Sequence, residues 1–211
     1  MIIAIDGPAA SGKGTISKGL AKHYSLPHLD SGLLYRAVGL ALIEQLEAPQ
    51  LADLAEDVAK NLDVHHLDEK ILGAPDVAMA AARVARIPRV RAALFQVQRD
   101  FAMQPGGAVL DGRDMGSRIC PEADAKLFIS ADPEVRAHRR VLQLGLEGAP
   151  AQQEEILAQI LARDESDKEN PAGAFFPAKD ALLLDSSQLD IETALKEAIA
   201  LVEQAVAQGM N

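Results

Sequence analysis

The chain of 211 residues is 48% hydrophobic and 25% charged, enough for a substantial core, but with 3% aromatics and no Trp that core must be built from Ala, Leu, Ile and Val. Asp plus Glu number 31 against 21 for Lys plus Arg, a net charge of −10 that repels phosphate backbones and argues against a nucleic-acid-binding protein, while local Arg clusters can still hold a small anion. One cysteine, Cys120, excludes a disulfide framework or cysteine-rich metal site, and the expectation is a soluble cytoplasmic protein, because no apolar run nears the roughly 20 residues of a membrane span and the first residues do not read as a signal segment.

Ile2–Ile5 is a short β-branched run bounded by Asp-Gly-Pro and predicts a buried strand. Helical spacing follows over Thr15–Tyr24, with Ile16 and Leu20 inward and Lys18 and Lys22 outward. Pro27–Asp30 predicts a second strand, and Ser31–Leu46 and Leu51–Leu62 predict helices. Two more helices are expected over Pro75–Arg86 and Pro88–Met103, each with its Pro in the first turn. Ala108–Leu110 and Lys126–Ser130 predict strands, and Pro133–Leu146 a helix capped by Asp132. Gln152–Arg163 reads as helix, Asp164–Lys179 as loop, Leu182–Leu184 as the last strand and Asp190–Gln208 as the closing helix. Strands alternating with helices predict an α/β fold, a parallel sheet of about five strands covered on both faces.

The strongest motif is Gly7-Pro-Ala9-Ala10-Ser11-Gly12-Lys13-Gly14-Thr15, placed between a predicted strand and a predicted helix. Its glycines let backbone N–H groups converge on phosphate oxygens, the helix N-terminus adds a favourable dipole, and Lys13 reaches the terminal phosphates. The bland alternative is a Gly-rich turn with a surface lysine. Gly14 stands where many such loops carry a Mg²⁺-binding hydroxyl, and the hydroxyl comes one place later at Thr15. No metal ligand is assigned from these residues.

Two polar clusters, Leu29-Asp30-Ser31-Gly-x-x-Tyr35-Arg36 and Asp111-Gly-Arg113-Asp114, fall at the C-terminal ends of predicted strands. Ligands bind at that edge of open parallel sheets, so both clusters are expected to face the phosphate loop. Taken alone, Asp30 and Ser31 read as helix caps, Asp111–Asp114 as a turn with an ion pair, and Arg163 with Asp167 as a solvated i,i+4 pair.

Taken together, the phosphate loop, Leu-Asp-Ser-Gly-x-x-Tyr-Arg, Pro88-Arg-Val-Arg91, Asp-Gly-Arg-Asp, Arg163-Asp-x-x-Asp167 and Asp180-Ala-Leu-Leu-Leu-Asp185 occur in order over nearly the whole chain. The set resembles the bacterial cytidylate (CMP) kinases, nucleoside monophosphate kinases of the P-loop type. The resemblance implies transfer of a phosphoryl group from ATP, with Mg²⁺, to CMP and dCMP. It implies one P-loop kinase domain over 1–211: a core of about 1–36, 104–150 and 180–211, a mobile acceptor-binding insert of about 37–103 and a mobile lid of about 151–179.

By the same resemblance Gly7, Ala9, Ala10, Ser11, Gly12, Lys13, Gly14, Thr15 and Arg139 bind ATP. Arg36 and Arg113 hold the acceptor phosphate, to which guanidinium forks are suited. Ser31, Arg91 and Asp114 meet the pyrimidine, where Asp114 accepts from the exocyclic amine, and Arg163 and Asp167 lie near the ribose. Lys13, Arg113 and Arg163 are the catalytic group. A monomer acting on small molecules is expected, with neither nucleic acid nor membrane as partner.

Two positions depart from the family pattern. Asn170 stands where an Arg reaching the base is usual, and Ala82 where a Ser near the sugar is common. Each loses a hydrogen bond, worth about 1.5–3 kcal/mol when charge-assisted, so discrimination among CMP, dCMP and UMP is expected to loosen. The stretch from Asp63 to Ala82 is also short, which suggests a trimmed insert. The alternatives are a small-metabolite kinase of shikimate or gluconate type and a nucleotide-binding module without turnover. The number of candidate acceptor-site arginines counts against the module. His65 and His66, adjacent and without a Cys or carboxylate cluster, are not read as a metal site.

Overall fold

A computed structural model describes residues 1–146, 150–168 and 175–209. The chain divides into two compact units, one of Met1–His28 with Pro105–Asn211 and the other of Leu29–Gln104. In the order of the chain the first unit holds β1 (Ile2–Asp6), α1 (Lys13–Tyr24) and His28, the first residue of β2 (His28–Asp30). The second unit is helical: α2 (Ser31–Ala41), α3 (Leu51–Lys60), α4 (Glu69–Leu72), α5 (Pro75–Val84) and α6 (Pro88–Ala102). The chain then returns to the first unit with β3 (Ala108–Gly112), β4 (Ala125–Ser130), α7 (Pro133–Leu144), α8 (Pro150–Lys168), β5 (Leu182–Asp185) and α9 (Ile191–Gly209).

The five strands form the expected parallel sheet, in the order β2-β3-β1-β4-β5. Asp6 of β1 pairs with Gly112 of β3 and with Phe128 of β4, so both neighbours reach the same C-terminal edge. Because β1 is central and connections leave it on both sides, that edge is a switch point where a ligand is accommodated. Ile3, Ile5, Leu127 and Ile129 point to one face, where they pack with Ile16 and Leu20 of α1 and the Ala194, Ala198, Val202 stripe of α9. Ala4 and Leu110 are equally buried on the opposite face, so the strands read as continuous apolar runs. A smaller cluster of Ala137, Val141, Ile156 and Ile160 joins α7 to α8.

In the second unit α2 and α5 cross at Gly39, where a Cβ would lie 2.6 Å from the backbone nitrogen of Ala81. Pro75 and Pro88 occupy the first turns of α5 and α6 as expected. Arg83 pairs with Glu47, and Arg89 with Asp53 and Glu56, on the surface of this unit.

Several expected boundaries move. The helix predicted over Ser31–Leu46 stops at Ala41 and gives way to a 3₁₀ turn over Ile43–Gln45. Helix α1 begins two residues earlier than expected, at Lys13. Asp132 precedes α7 without its side chain capping it. Asp164 to Lys168, expected as loop, continue α8 because their carboxylates are anchored at a distance, as described below. Two short elements lie outside the expected ones: α4, which Asp68 caps by accepting from the Lys70 and Ile71 N–H groups, and a π-helical turn over Met115–Ile119. Asn170 lies outside the described residues, as does part of the loop expected after Asp164.

Candidate active site

The loop after β1 is built by close approach and by backbone handedness. At Gly7 a Cβ would fall 2.2 Å from the carbonyl oxygen of Ile129, so only glycine passes strand β4 here. Ala10 at φ 59° and Gly12 at φ 87° are left-handed, while Ser11 between them is not. Alternating handedness turns successive N–H groups into one concavity, the anion nest of phosphate-binding loops. Gly12 leads into α1 with no side-chain cap, so the helix presents its N-terminal dipole to the same hollow.

Three arginines take alternate carbonyls of the loop. Arg113 donates to the Gly7 oxygen at 2.9 Å, Arg136 to that of Ala9 at 3.3 Å and Arg139 to that of Ser11 at 3.3 Å. Ser186 adds a hydroxyl donor to the Ser11 oxygen at 2.9 Å, and Arg139 is in turn held by the Ser186 hydroxyl and carbonyl. Drawing carbonyls outward orients the intervening peptides with their N–H groups inward. The Ser11 side chain is itself buried, and its hydroxyl finds no partner among the described residues.

Lys13 opens α1, and its ammonium lies 3.6 Å from Oδ2 of Asp111, at the end of β3. The other oxygen, Oδ1, is 3.0 Å from Nε2 of His28. Burial of Asp111 opposes its charge, but the His28 hydrogen bond and the Lys13 and Arg113 cations outweigh it and hold the carboxyl below the usual range. Asp6, at the end of β1, is different. Burial pushes it up to about 6 although both its oxygens accept backbone N–H groups, from Met115 at 2.8 Å and Gly116 at 2.9 Å. Those two bonds hold the π-helical turn that follows Asp114.

Helix α8 brings two carboxylates to these arginines. Asp164 takes both guanidinium nitrogens of the buried Arg136, at 3.1 and 2.5 Å, and Asp167, one turn on, accepts from Nε of Arg113 at 2.7 Å. Phe175 covers the Arg113 guanidinium at 5.4 Å and stacks beside Phe128 at 5.3 Å, anchoring this segment, while Phe176 is exposed.

Of the residues singled out in the sequence, the first unit therefore gathers the phosphate loop, Lys13, Arg113, Asp114, Arg139 and Asp167, with Arg163 on α8. The second unit carries Ser31, Arg36 and Arg91. There Asp30 does cap α2, accepting from Gly32 at 2.8 Å, and Ser31 is buried. Arg36 donates to the Leu72 carbonyl at 2.7 Å, and the Arg91 guanidinium lies 5.9 Å from the Tyr35 ring centroid.

Nothing in the sequence gives a role to Asp6, His28, Arg136 or Ser186, and Asp111 is marked only as part of the Asp-Gly-Arg-Asp cluster. The Arg136-x-x-Arg139 spacing on a predicted helix was a usable signal, since i and i+3 share a face. His28 and Ser186 act across 83 and 175 residues of chain and had no local sign.

Comparison with known proteins shows the family. The family described as Cytidylate kinase matches residues 3–204. The chain belongs to the cytidylate kinase family. It is similar to a protein named Cytidylate kinase from Rhodopseudomonas palustris (strain BisB18), 53% identical over 205 residues and 96% of each chain. A second, from Bradyrhizobium sp. (strain ORS 278), is 52% identical over 204 residues and again 96% of each. A solved structure of an uncharacterized protein from Eubacterium ventriosum shares the fold, with a TM-score of 0.59 at 16% identity over 96% of this chain and 98% of that one. The reaction is that of the cytidylate kinase family, ATP-dependent phosphorylation of CMP. Among the described residues no helix is long and apolar enough to cross a membrane.

Proposed function

We propose that phosphoryl transfer runs over the Gly7–Thr15 loop, with the ATP phosphates in the nest of Gly7, Ala9, Ala10, Ser11, Gly12, Gly14 and Thr15. Lys13 meets the terminal phosphates, and Arg139 completes the ATP site from the loop's outer side. The observation that carries this reading is the alternation of left-handed residues with arginine-held carbonyls, which makes an anion cradle out of backbone alone. Arg113 and Arg163 stabilise charge on the group in transfer. Arg36 and Arg113 bind the acceptor phosphate, Ser31, Arg91 and Asp114 read the base, and Asp167 serves the ribose.

The acceptor is already an anionic phosphate oxygen, so the chain needs no strong general base. Its residues supply alignment and fixed positive charge. Mg²⁺ suits the residues present: the buried Oδ2 of Asp111 makes no hydrogen bond among the described residues, and the Thr15 hydroxyl follows Gly14 at the start of α1. Asp111 and Thr15 would hold the ion, which when bound screens phosphate charge. We assign the core to about 1–36, 104–150 and 180–211, acceptor binding to about 37–103 and the lid to about 151–179.

dCMP is an acceptor beside CMP on this reading, because Ala82 of α5 has no hydroxyl with which to test a sugar hydroxyl. The protein works as a cytoplasmic monomer on small molecules. The test is coupled ADP release with CMP, dCMP, UMP and AMP, run on wild type and Lys13→Ala. CMP and dCMP are expected to accelerate ADP release most, and Lys13→Ala to lose about 100-fold or more in turnover while it still folds cooperatively. A Lys13→Ala protein of near-normal rate refutes the assignment.

A further inference from the structure

His28 is used by nothing derived so far. Its side chain is 15% exposed and lies against Asp111, whose side chain is fully buried. The neighbourhood is closed on each side of that carboxylate. Val109 N–H donates to the Pro27 carbonyl at 2.9 Å, which sets β2 on β3 and delivers His28 beside Asp111. Gly14 faces the far oxygen, where a Cβ would sit at an ordinary 3.9 Å from Oδ2. Lys13 approaches that same oxygen.

An ionised carboxylate only accepts, so the imidazole must donate from Nε2, leaving Nδ1 without the proton in the neutral ring. A single donor of fixed direction has a particular use at this point. It holds one oxygen of Asp111, so the carboxylate cannot swing to meet Lys13 with both oxygens and draw its ammonium from the phosphates. A second cation in the same place would compete with Lys13 for Asp111. An apolar residue would leave Oδ1 buried and unbonded, a state relieved by rotation onto Lys13.

We infer that His28 is a positioning residue for phosphoryl transfer, holding Oδ1 of Asp111 so that Oδ2 is presented to Lys13. The inference rests on the placement of Lys13 at the ATP phosphates. It differs from a packing role in that it concerns one hydrogen bond of defined direction, and a residue that keeps the bond keeps the function.

The experiment compares His28→Leu, His28→Gln and Lys13→Ala in the full chain. His28→Leu is expected to lose about tenfold in kcat with KM for CMP within about twofold, and His28→Gln, whose amide N–H reaches as far as Nε2, to recover most of that loss. A readout free of turnover is the long-range ¹H–¹⁵N spectrum at pH 8 without metal or nucleotide. The His28 ring, assigned by its absence in His28→Gln, should be the Nε2–H tautomer and should change when Asp111 becomes Asn. An Nδ1–H tautomer overturns the inference, even if the Leu variant proves too unstable for kinetics. So does wild-type kcat in His28→Leu, or a folded Gln variant as slow as the Leu one. If Lys13→Ala is inactive while His28→Leu is unimpaired, the inference alone fails. If Lys13→Ala is active, the reading beneath it fails as well.

Discussion

Asp6 offers a test of how burial and hydrogen bonding compete at the root of the phosphate loop. Its carboxyl is 3% exposed and receives one backbone N–H on each oxygen. Burial is the larger effect, the nearby Asp114 adds to it, and the two N–H bonds and Arg113 offset only part, leaving the pKa at about 6 against an ordinary 3.8. A carboxyl whose pKa is higher folded than unfolded stabilises the fold in its protonated form. That contribution is complete below pH 3.8 and disappears as the pH rises through 6. The gap corresponds to about 3 kcal/mol.

Asp6→Asn removes the titration and keeps the size. Its amide offers one acceptor and turns an NH₂ toward the second backbone donor, a penalty of about 1–3 kcal/mol that does not vary with pH. Urea unfolding followed by circular dichroism from pH 4 to 7.5 isolates the effect, because carboxylates that do not sense Asp6 cancel between the two proteins. Relative to Asp6→Asn, wild type should lose about 2 kcal/mol across that range. A flat difference would place the folded pKa near 3.8. A difference that grows with pH would mean that the two N–H bonds outweigh burial, and the reasoning would be wrong in sign.

Two further outcomes follow from the loop and from α8. Gly7→Ala forces a Cβ against the Ile129 carbonyl, a backbone group that cannot step aside, and should destabilise by about 3 kcal/mol or more. Gly14→Ala meets nothing nearer than 3.9 Å in an ordinary helical conformation, so its melting temperature should hold or rise, since Ala gains about 1 kcal/mol over Gly in a helix. Equal melting temperatures for the two variants would contradict the packing argument. Asp164→Ala strips the bidentate partner from the buried Arg136 and should cost about 3 kcal/mol. Hydrogen exchange should then quicken along α8, and unchanged protection there would show that its last turns are held by something else.

What the sequence made legible was whatever is decided within a few residues. Ile2–Ile5 and Lys126–Ser130 are short apolar runs, and Gly7 to Thr15 carries its glycine spacing, with the close approach at Gly7 and the left-handed turn at Gly12, in its own sequence, although the left-handed Ala10 has no such sign. The reading failed where the decision is made far away. Asp164-Glu-Ser-Asp-Lys168 is a polar, charged run that resembles loop, and it is helical with Asp164 on Arg136 and Asp167 on Arg113. The turn at Met115–Ile119 has no periodicity of its own and is shaped by Asp6, more than 100 residues earlier. Arg113 shows both sides of this. Its motif identified it, but nothing local indicated that it would serve the Gly7 carbonyl.

The arginines also explain how so acidic a chain can bind a polyanion. Arg136 and Arg113 are each matched by a carboxylate from α8, and Lys13 by Asp111. Their charges are thus partly compensated before any nucleotide arrives, and they orient the loop as well as supplying positive charge. On the proposed reading, peptide dipoles and the α1 terminus add an attraction for phosphate that no surface carboxylate neutralises and that needs no reorganisation when the anion enters. The global charge of −10 then acts only at long range, where salt screens it. In that proposed site local geometry governs binding, and it depends on the spacing of the Gly7, Ala9 and Ser11 carbonyls against Arg113, Arg136 and Arg139.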